Sequence, residues 1–311
     1  MGRLYCMTSA AAFGAMAVFG KLAYESGVGV DAVLLVRFGL AGAVLVLLAL
    51  ARGAFRGLSA RAVLIGLGMG VFGYALQSSL YFSALTRIDA ALVALLLYIY
   101  PVLVMVVAVA LGRERAPGRR IGALVVALVG IGLVLGGAAS GRLDAVGVLL
   151  GLGAGVTYTA YILVGDRVTG DVPPLALAAL VCTGATATFV LLGAVRGGTD
   201  LTFEPSGWLW LAAIALISTV GGILLFFAGM ARVGPSMAAI LSILEPVVTV
   251  VAAALVFGEM LSAVQWFGGL LVLAAVVAVQ WPPRTTPAPP PVDSPADDVA
   301  LSPTPSRACA A

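Results

Sequence analysis

The sequence predicts an all-α integral membrane protein of ten transmembrane helices, built as two inverted-topology repeats of five helices, with both termini in the cytoplasm. Three observations carry this expectation. Of the 311 residues, 62% are hydrophobic and 10% charged; soluble domains are about 45–50% apolar and about 25% charged, so too little polar surface exists to cover a globule in water. The apolar residues fall in long unbroken runs, near the roughly 20 that a helix needs to cross a bilayer, and not in the alternating ten-residue pieces of a membrane barrel. A set of unusual residue types also recurs at one fixed spacing, which divides the chain into two halves.

Taken in order, the runs lie at about 5–24, 31–51, 61–82, 89–111, 118–137, 144–164, 173–195, 206–229, 234–257 and 263–281. The first has Arg3 ahead of an apolar stretch, as a secretory signal does. Nine further runs follow, so it is read as a span. Orientation follows from Arg and Lys in short connections, which are enriched on the cytoplasmic side. With a cytoplasmic amino terminus the inside set is Arg3, Arg52, Arg56, Arg61, Arg113, Arg115, Arg119, Arg120, Arg167, Arg232, Arg284 and Arg307, against Arg87, Arg142 and Arg196 outside. Beyond Trp281 the chain turns rich in proline, with Asp293, Asp297 and Asp298 and no apolar period. Residues 282–311 are therefore read as a disordered cytoplasmic tail.

The repeat has an offset of 145. Tyr81-Phe82-Ser83-Ala84-Leu85-Thr86-Arg87-Ile88 aligns with Phe226-Phe227-Ala228-Gly229-Met230-Ala231-Arg232-Val233, and the same shift carries Arg87 onto Arg232, Pro101 onto Pro246 and Glu114 onto Glu259. Each unit, 5–139 and 143–281, holds five spans. An odd number forces the second copy to enter the membrane from the opposite face. Charge agrees, since Glu114 lies in the basic inside loop Arg113-Glu114-Arg115 and Glu259 in an outside turn without Arg or Lys. Inverted repeats are the architecture of secondary transporters, whose sites lie near the midplane.

Tyr81-Phe82-x-Ala84-Leu85, then Tyr100-Pro101 and Leu111-Gly112-Arg113-Glu114, with the echo Leu244-Glu245-Pro246-Val247 and Phe257-Gly258-Glu259, resembles the EamA family of the drug/metabolite transporter superfamily. The resemblance covers about residues 8–281. It implies a ten-helix bundle in the cell inner membrane that moves small metabolites, often by export, with amino acids prominent; the second half looks especially like the family's amino acid exporters. The first span, Phe13-Gly14-x4-Phe19-Gly20-Lys21, departs by having no Trp near its middle.

Glu245 is the sharpest single feature, about a dozen residues into the ninth run and immediately before Pro246. A charge near the bilayer centre costs about 2.5–3.5 kcal/mol on insertion scales, so this acid must face the bundle interior or be protonated. It would couple a proton to substrate movement, pair with a substrate ammonium, or satisfy backbone groups freed by Pro246. Pro101 and Pro246 interrupt equivalent spans, which points to a transporter site. Tyr98 and Tyr100 stand about 200° apart on a continuous helix at roughly 100° per residue, and Tyr100 is the one assigned to the cavity. Gln77, with Ser78 and Ser79, forms the polar middle of the third run, and Tyr74 and Tyr81 flank Gln77 on one face. Tyr158 and Tyr161, with Thr157, offer a comparable stripe in the sixth. Such groups contact a zwitterion or bond neighbouring helices. Lys21 either snorkels to the headgroups or faces a substrate carboxylate from the cavity. Arg37, six residues into the second run, either snorkels or pairs with Glu25 or Asp31. Glu114 and Glu259 cap or link the next helix, or gate. A site is expected between spans 1, 3, 4, 6, 8 and 9.

Other classes are excluded on composition. There is no histidine, hence no H-E-x-x-H zinc site and no Ser/His dyad; Cys6, Cys182 and Cys309 have no framework spacing. Asp31, Asp89, Asp144 and Asp166 all fall at span ends, which leaves no intramembrane aspartate pair for an enzyme. No G-x4-G-K-[ST] motif is present to power pumping, and a channel would need a polar ring. The expected partners are thus a small-molecule substrate, protons as a coupling ion and the lipid bilayer, with no cofactor, metal or nucleic acid. Gly-x3-Gly spacings such as Gly66/Gly70 and Gly118/Gly122 suit helix packing in a monomer or weak homodimer.

Overall fold

The computed structural model describes residues 1–111, 118–138, 144–168, 172–234, 237–238 and 241–280. Residues 1–281 cluster as one unit and 282–311 as another, the second lying outside the described residues together with Glu114. In hydrocarbon each backbone N–H and C=O must be satisfied within its own segment, and the apolar runs accordingly become helices. These are α1 (Gly2–Glu25), α2 (Val30–Ala51), α3 (Ala60–Leu85), α4 (Ala90–Leu97), α5 (Tyr100–Ala110), α6 (Gly118–Ala138), α7 (Ala145–Val168), α8 (Pro174–Val195), α9 (Pro205–Val233), α10 (Leu244–Phe257) and α11 (Ala263–Gln280). Among the described residues there is no strand.

Seven segments are long and apolar enough to cross a membrane: α1, α2, α3, Ala90–Val107 through α4 and α5, Ala145–Gly165, α8 and α9. Shorter apolar helices, Ile121–Val134, Leu244–Phe257 and Ala263–Ala278, stand where the fifth, ninth and tenth spans are expected. The ninth is short because the chain turns at Ser242 and Ile243 before α10 begins, just ahead of Pro246, which has no N–H to continue the ladder. Large apolar side chains such as Leu64, Phe72, Leu149 and Leu255 are exposed, far more than a water-soluble surface carries.

Helix neighbours repeat under exchange of the two halves. α1 packs on α9 as α7 packs on α3; α1 meets α10 as α7 meets α4 and α5; α2 lies against α9 as α8 lies against α3. Two pairs are their own counterparts, α2 with α8 and α6 with α11. The latter approach is made possible by glycine: a Cβ on Gly130 would fall 2.7 Å from the Gly268 carbonyl oxygen and one on Gly268 2.6 Å from that of Gly130. The main core gathers Phe38, Phe82, Leu34, Leu45, Leu211 and Ile214 from α2, α3 and α9.

Two helices widen into π turns, α3 over Met69–Tyr74 and α9 over Ala213–Gly221. A shift of 145 carries residues 69–74 onto 214–219, inside the second π segment. π turns are rare and concentrate at functional sites, and nothing in the sequence pattern announced either one.

Candidate functional site

A cavity of about 350 Å³ opens inside the bundle, and Gln77, Tyr74 and Tyr81 of α3, Tyr100 of α5, Tyr158 and Tyr161 of α7 and Glu245 of α10 all line it. Helices α2 and α8 contribute as well, through Arg37 and Cys182, so the site extends beyond spans 1, 3, 4, 6, 8 and 9. Helices α6 and α11 pack on each other and take no part in the lining.

The breaks at the two prolines shape the polar wall. Pro101 sits at the start of α5, and α4 ends at Leu97 with Tyr98 and Ile99 in a turn between them. Tyr98 and Tyr100 both reach the cavity, their rings 5.6 Å apart. Assigning Tyr100 alone assumed an unbroken helix; the turn removes the 200° separation on which that rested. Across the cavity, Pro246 cannot donate to the Ser242 carbonyl four residues earlier. That carbonyl accepts the Tyr98 hydroxyl and the Glu245 backbone N–H instead. The carbonyl released by Pro246 is therefore satisfied without the Glu245 side chain, whose carboxylate has no hydrogen-bond or ion-pair partner among the described residues. Glu245 is held in place by α1, because a Cβ on Gly14 would lie 2.5 Å from the Glu245 carbonyl oxygen and Thr249 donates to the Gly14 carbonyl at 2.8 Å.

The tyrosines form a continuous file of rings. Centroid distances are 5.6 Å for Tyr74–Tyr161, 6.0 Å for Tyr161–Tyr158, 4.6 Å for Tyr158–Tyr100 and 5.6 Å for Tyr100–Tyr98, all within the range of favourable aromatic contact. Gln77 is buried and its amide oxygen accepts from Ser78 at 3.2 Å.

The cations fall out differently from expectation. Lys21 does not line the cavity. It pairs with Glu259 in the turn after α10 and stands 3.9 Å from Asp89 at the start of α4, while Glu259 also accepts the Ala91 N–H at 3.4 Å. Glu259 thus links α1, α4 and the turn after α10. Arg37 neither snorkels nor pairs with Glu25 or Asp31: it is 2% exposed, lines the cavity and donates to Thr219 Oγ1 at 3.1 Å and to the Tyr74 hydroxyl at 3.2 Å. Asp31 pairs with Arg196 instead. Outside the spans, Arg87 donates to Asp144 at 3.0 Å; that bond and the Gly147 and Val146 N–H groups hold the Asp144 carboxyl below the ordinary carboxylate range. Among the described residues no three His, Cys, Asp or Glu side chains come together as metal ligands.

Comparison with known proteins agrees with this picture. The sequence profile described as the EamA-like transporter family matches residues 1–136 and again 145–281. An uncharacterized transporter, YwfM of Bacillus subtilis (strain 168), is 31% identical over 164 residues, 52% of this chain and 54% of that protein. The threonine/homoserine exporter RhtA of Salmonella typhimurium (strain LT2) is 31% identical over 179 residues, 55% of this chain and 56% of its own length. The chain thus spans about half the length of these relatives. A solved crystal structure shares the fold at a TM-score of 0.63 and 21% identity, over 89% of this chain and 95% of the other.

Proposed function

Because the chain belongs to the EamA-like transporter family and is a multi-pass membrane protein of that transporter class, we propose that it is a secondary carrier of amino acids or related small metabolites, working as an exporter by alternating access. The observation that carries this is the cavity: a carboxylate, a guanidinium and a file of tyrosine hydroxyls surround about 350 Å³ within an otherwise apolar bundle. In this proposal residues 5–139 and 143–281 are five-helix repeats of opposite orientation, both termini are cytoplasmic and the chain resides in the inner membrane. The exchange of helix neighbours between halves and the π segments 145 residues apart support it. RhtA, by its name an amino acid exporter, supports the substrate class and direction.

With that orientation the cavity leads toward the cytoplasm, since Pro174 at the inner start of α8 and Phe226 and Phe227 near the inner end of α9 line it. Glu245 is the group proposed to bind a coupling proton or the substrate ammonium. It shares the cavity with Arg37, Tyr74, Tyr81, Tyr98, Tyr100 and Tyr158, so a charge change there is felt by the whole site. The test is counterflow of labelled amino acids by purified protein in liposomes. Saturable exchange is expected, with Glu245→Gln losing accumulation driven by a proton gradient. Flux that never saturates would overturn the carrier, and gradient-driven accumulation unchanged by Glu245→Gln would overturn the coupling role.

A further inference from the structure

We infer that Arg37 is the anion anchor of the cavity: it takes the carboxylate of a zwitterionic substrate whose ammonium group is met by Glu245. This rests on the carrier function proposed above and names the chemistry of what is carried. A guanidinium presents five N–H donors in a rigid planar fork. Nε donates to Thr219 and Nη2 to Tyr74, so among the described residues three donors have no acceptor and no carboxylate lies within ion-pair distance. The flanking rings of Phe38, Phe82 and Tyr74, with centroids at 4.7, 5.4 and 5.7 Å, accommodate the charge but accept no in-plane bond. A cation this deeply buried without a counter-ion is unfavourable, and a ligand carboxylate is the complement that its open fork fits.

The mounting of Arg37 suits that task. Thr219 already donates its hydroxyl hydrogen to the Ile214 carbonyl at 2.9 Å, so its oxygen faces Arg37 as an acceptor only. Thr219 and Tyr74 lie in the two π segments and are themselves 145 residues apart. The guanidinium is therefore clamped between equivalent positions of the two halves, where a bound anion would be sensed by both. The rest of the cavity narrows the ligand class. One cation and one carboxylate in the same cavity, neither with an ionic partner among the described residues, disfavour a dianion such as a phosphate ester, and the tyrosine file between α3, α5 and α7 offers ring faces to an apolar or aromatic side chain.

The experiment uses full-length protein in liposomes and three matched probes, L-phenylalanine, L-phenylalaninamide and phenethylamine, repeated with L-leucine, L-leucinamide and isopentylamine. Inhibition of counterflow reads their affinities. The acid is expected to outcompete the amide and the amine by about 10- to 100-fold, as a charge-assisted fork contact implies. Arg37→Gln should equalise acid and amide, and Arg37→Lys should keep part of the preference, both eluting as monodisperse protein. If Arg37→Gln does not fold, the wild-type series together with Arg37→Lys decides. Equal binding of acid and amide by wild type, or an undiminished preference in Arg37→Gln or Arg37→Lys, overturns the anchor while counterflow leaves the carrier standing. Absence of binding by every probe, with no amino acid moved, overturns both.

Discussion

Charge is handled in opposite ways at the two levels of the bundle. At the end that bears the connections after α1, α3, α8 and α10, acids and bases are matched: Lys21 with Glu259 and Asp89, Arg87 with Asp144, Arg196 with Asp31. All the ion pairs among the described residues lie there, on the side proposed to face outward. In the cavity Arg37 and Glu245 have no ionic partner among the described residues. Exposed pairs are worth about 0–1 kcal/mol each, so they tie that end only weakly. Charges inside the bundle are far more demanding of a complement. Paired charges thus suit a latch, and unpaired ones suit a site that a ligand completes.

The sharpest way to break that division is to disturb the cavity at the contact of α1 with Glu245. Gly14→Val places a side chain against the Glu245 carbonyl and against Val248, whose Cβ would lie 3.0 Å from the new Cβ. Overpacking of this kind costs about 1–3 kcal/mol, and relieving it pushes α1 off the stretch of α10 that carries Glu245. Counterflow should fall by about 100-fold or more, on the scale that a misplacement near 1 Å produces in a tuned site. A rate within twofold of wild type would show that the α1–α10 contact does not position the site.

Much of this was legible in the sequence, and the exceptions share a cause. Composition gave the membrane class, and residue type at depth picked out Glu245, Gln77 and the tyrosines now found around one cavity. Tyr98 was passed over because helical periodicity was extended through a break that Pro101 creates. For Arg37 the sequence shows the distance from a helix end, which suits a headgroup or loop partner, and hides the tertiary neighbours Thr219 and Phe82. The π segments leave no signature in residue spacing, and they pack against α8 and α2, neighbours that are invisible in the local pattern. Lys21 drew attention to the cavity by its family-like motif, yet the acid that holds it comes from a turn 238 residues away.

The latch itself gives the next largest effect. Lys21 and Glu259 side chains are 19% and 9% exposed, less than the other pairs, so their bond should hold the outward-closed state most firmly. Lys21→Gln leaves Glu259 with the Ala91 N–H alone. Loss of about 1 kcal/mol, a typical net hydrogen-bond contribution, shifts the balance of states roughly fivefold. Hydrogen exchange should quicken at residues 86–92 and 256–262 while probe affinity measured at saturating equilibrium changes little. Exchange unchanged at both segments would mean that the outer end is closed by apolar packing, not by this ion pair.

Asp144 marks the weak limit of the same latch. Its carboxyl is held below the ordinary range first by Arg87 and then by the backbone N–H groups at the start of α7. A depressed folded value stabilises above the unfolded carboxylate value, about 3.9, and the contribution is lost as pH falls through the folded value. Asp144→Asn keeps a side chain able to cap the helix and removes only the charge. The pair is solvent-exposed and screened by salt, so the melting temperature should drop less than in Lys21→Gln, with the difference shrinking in high salt, declining as pH falls below the ordinary carboxylate value of about 3.9 and vanishing only once pH is below the depressed folded value. A difference that persists in acid would assign Asp144 to packing at the start of α7 and remove it from the ionic ties of that end.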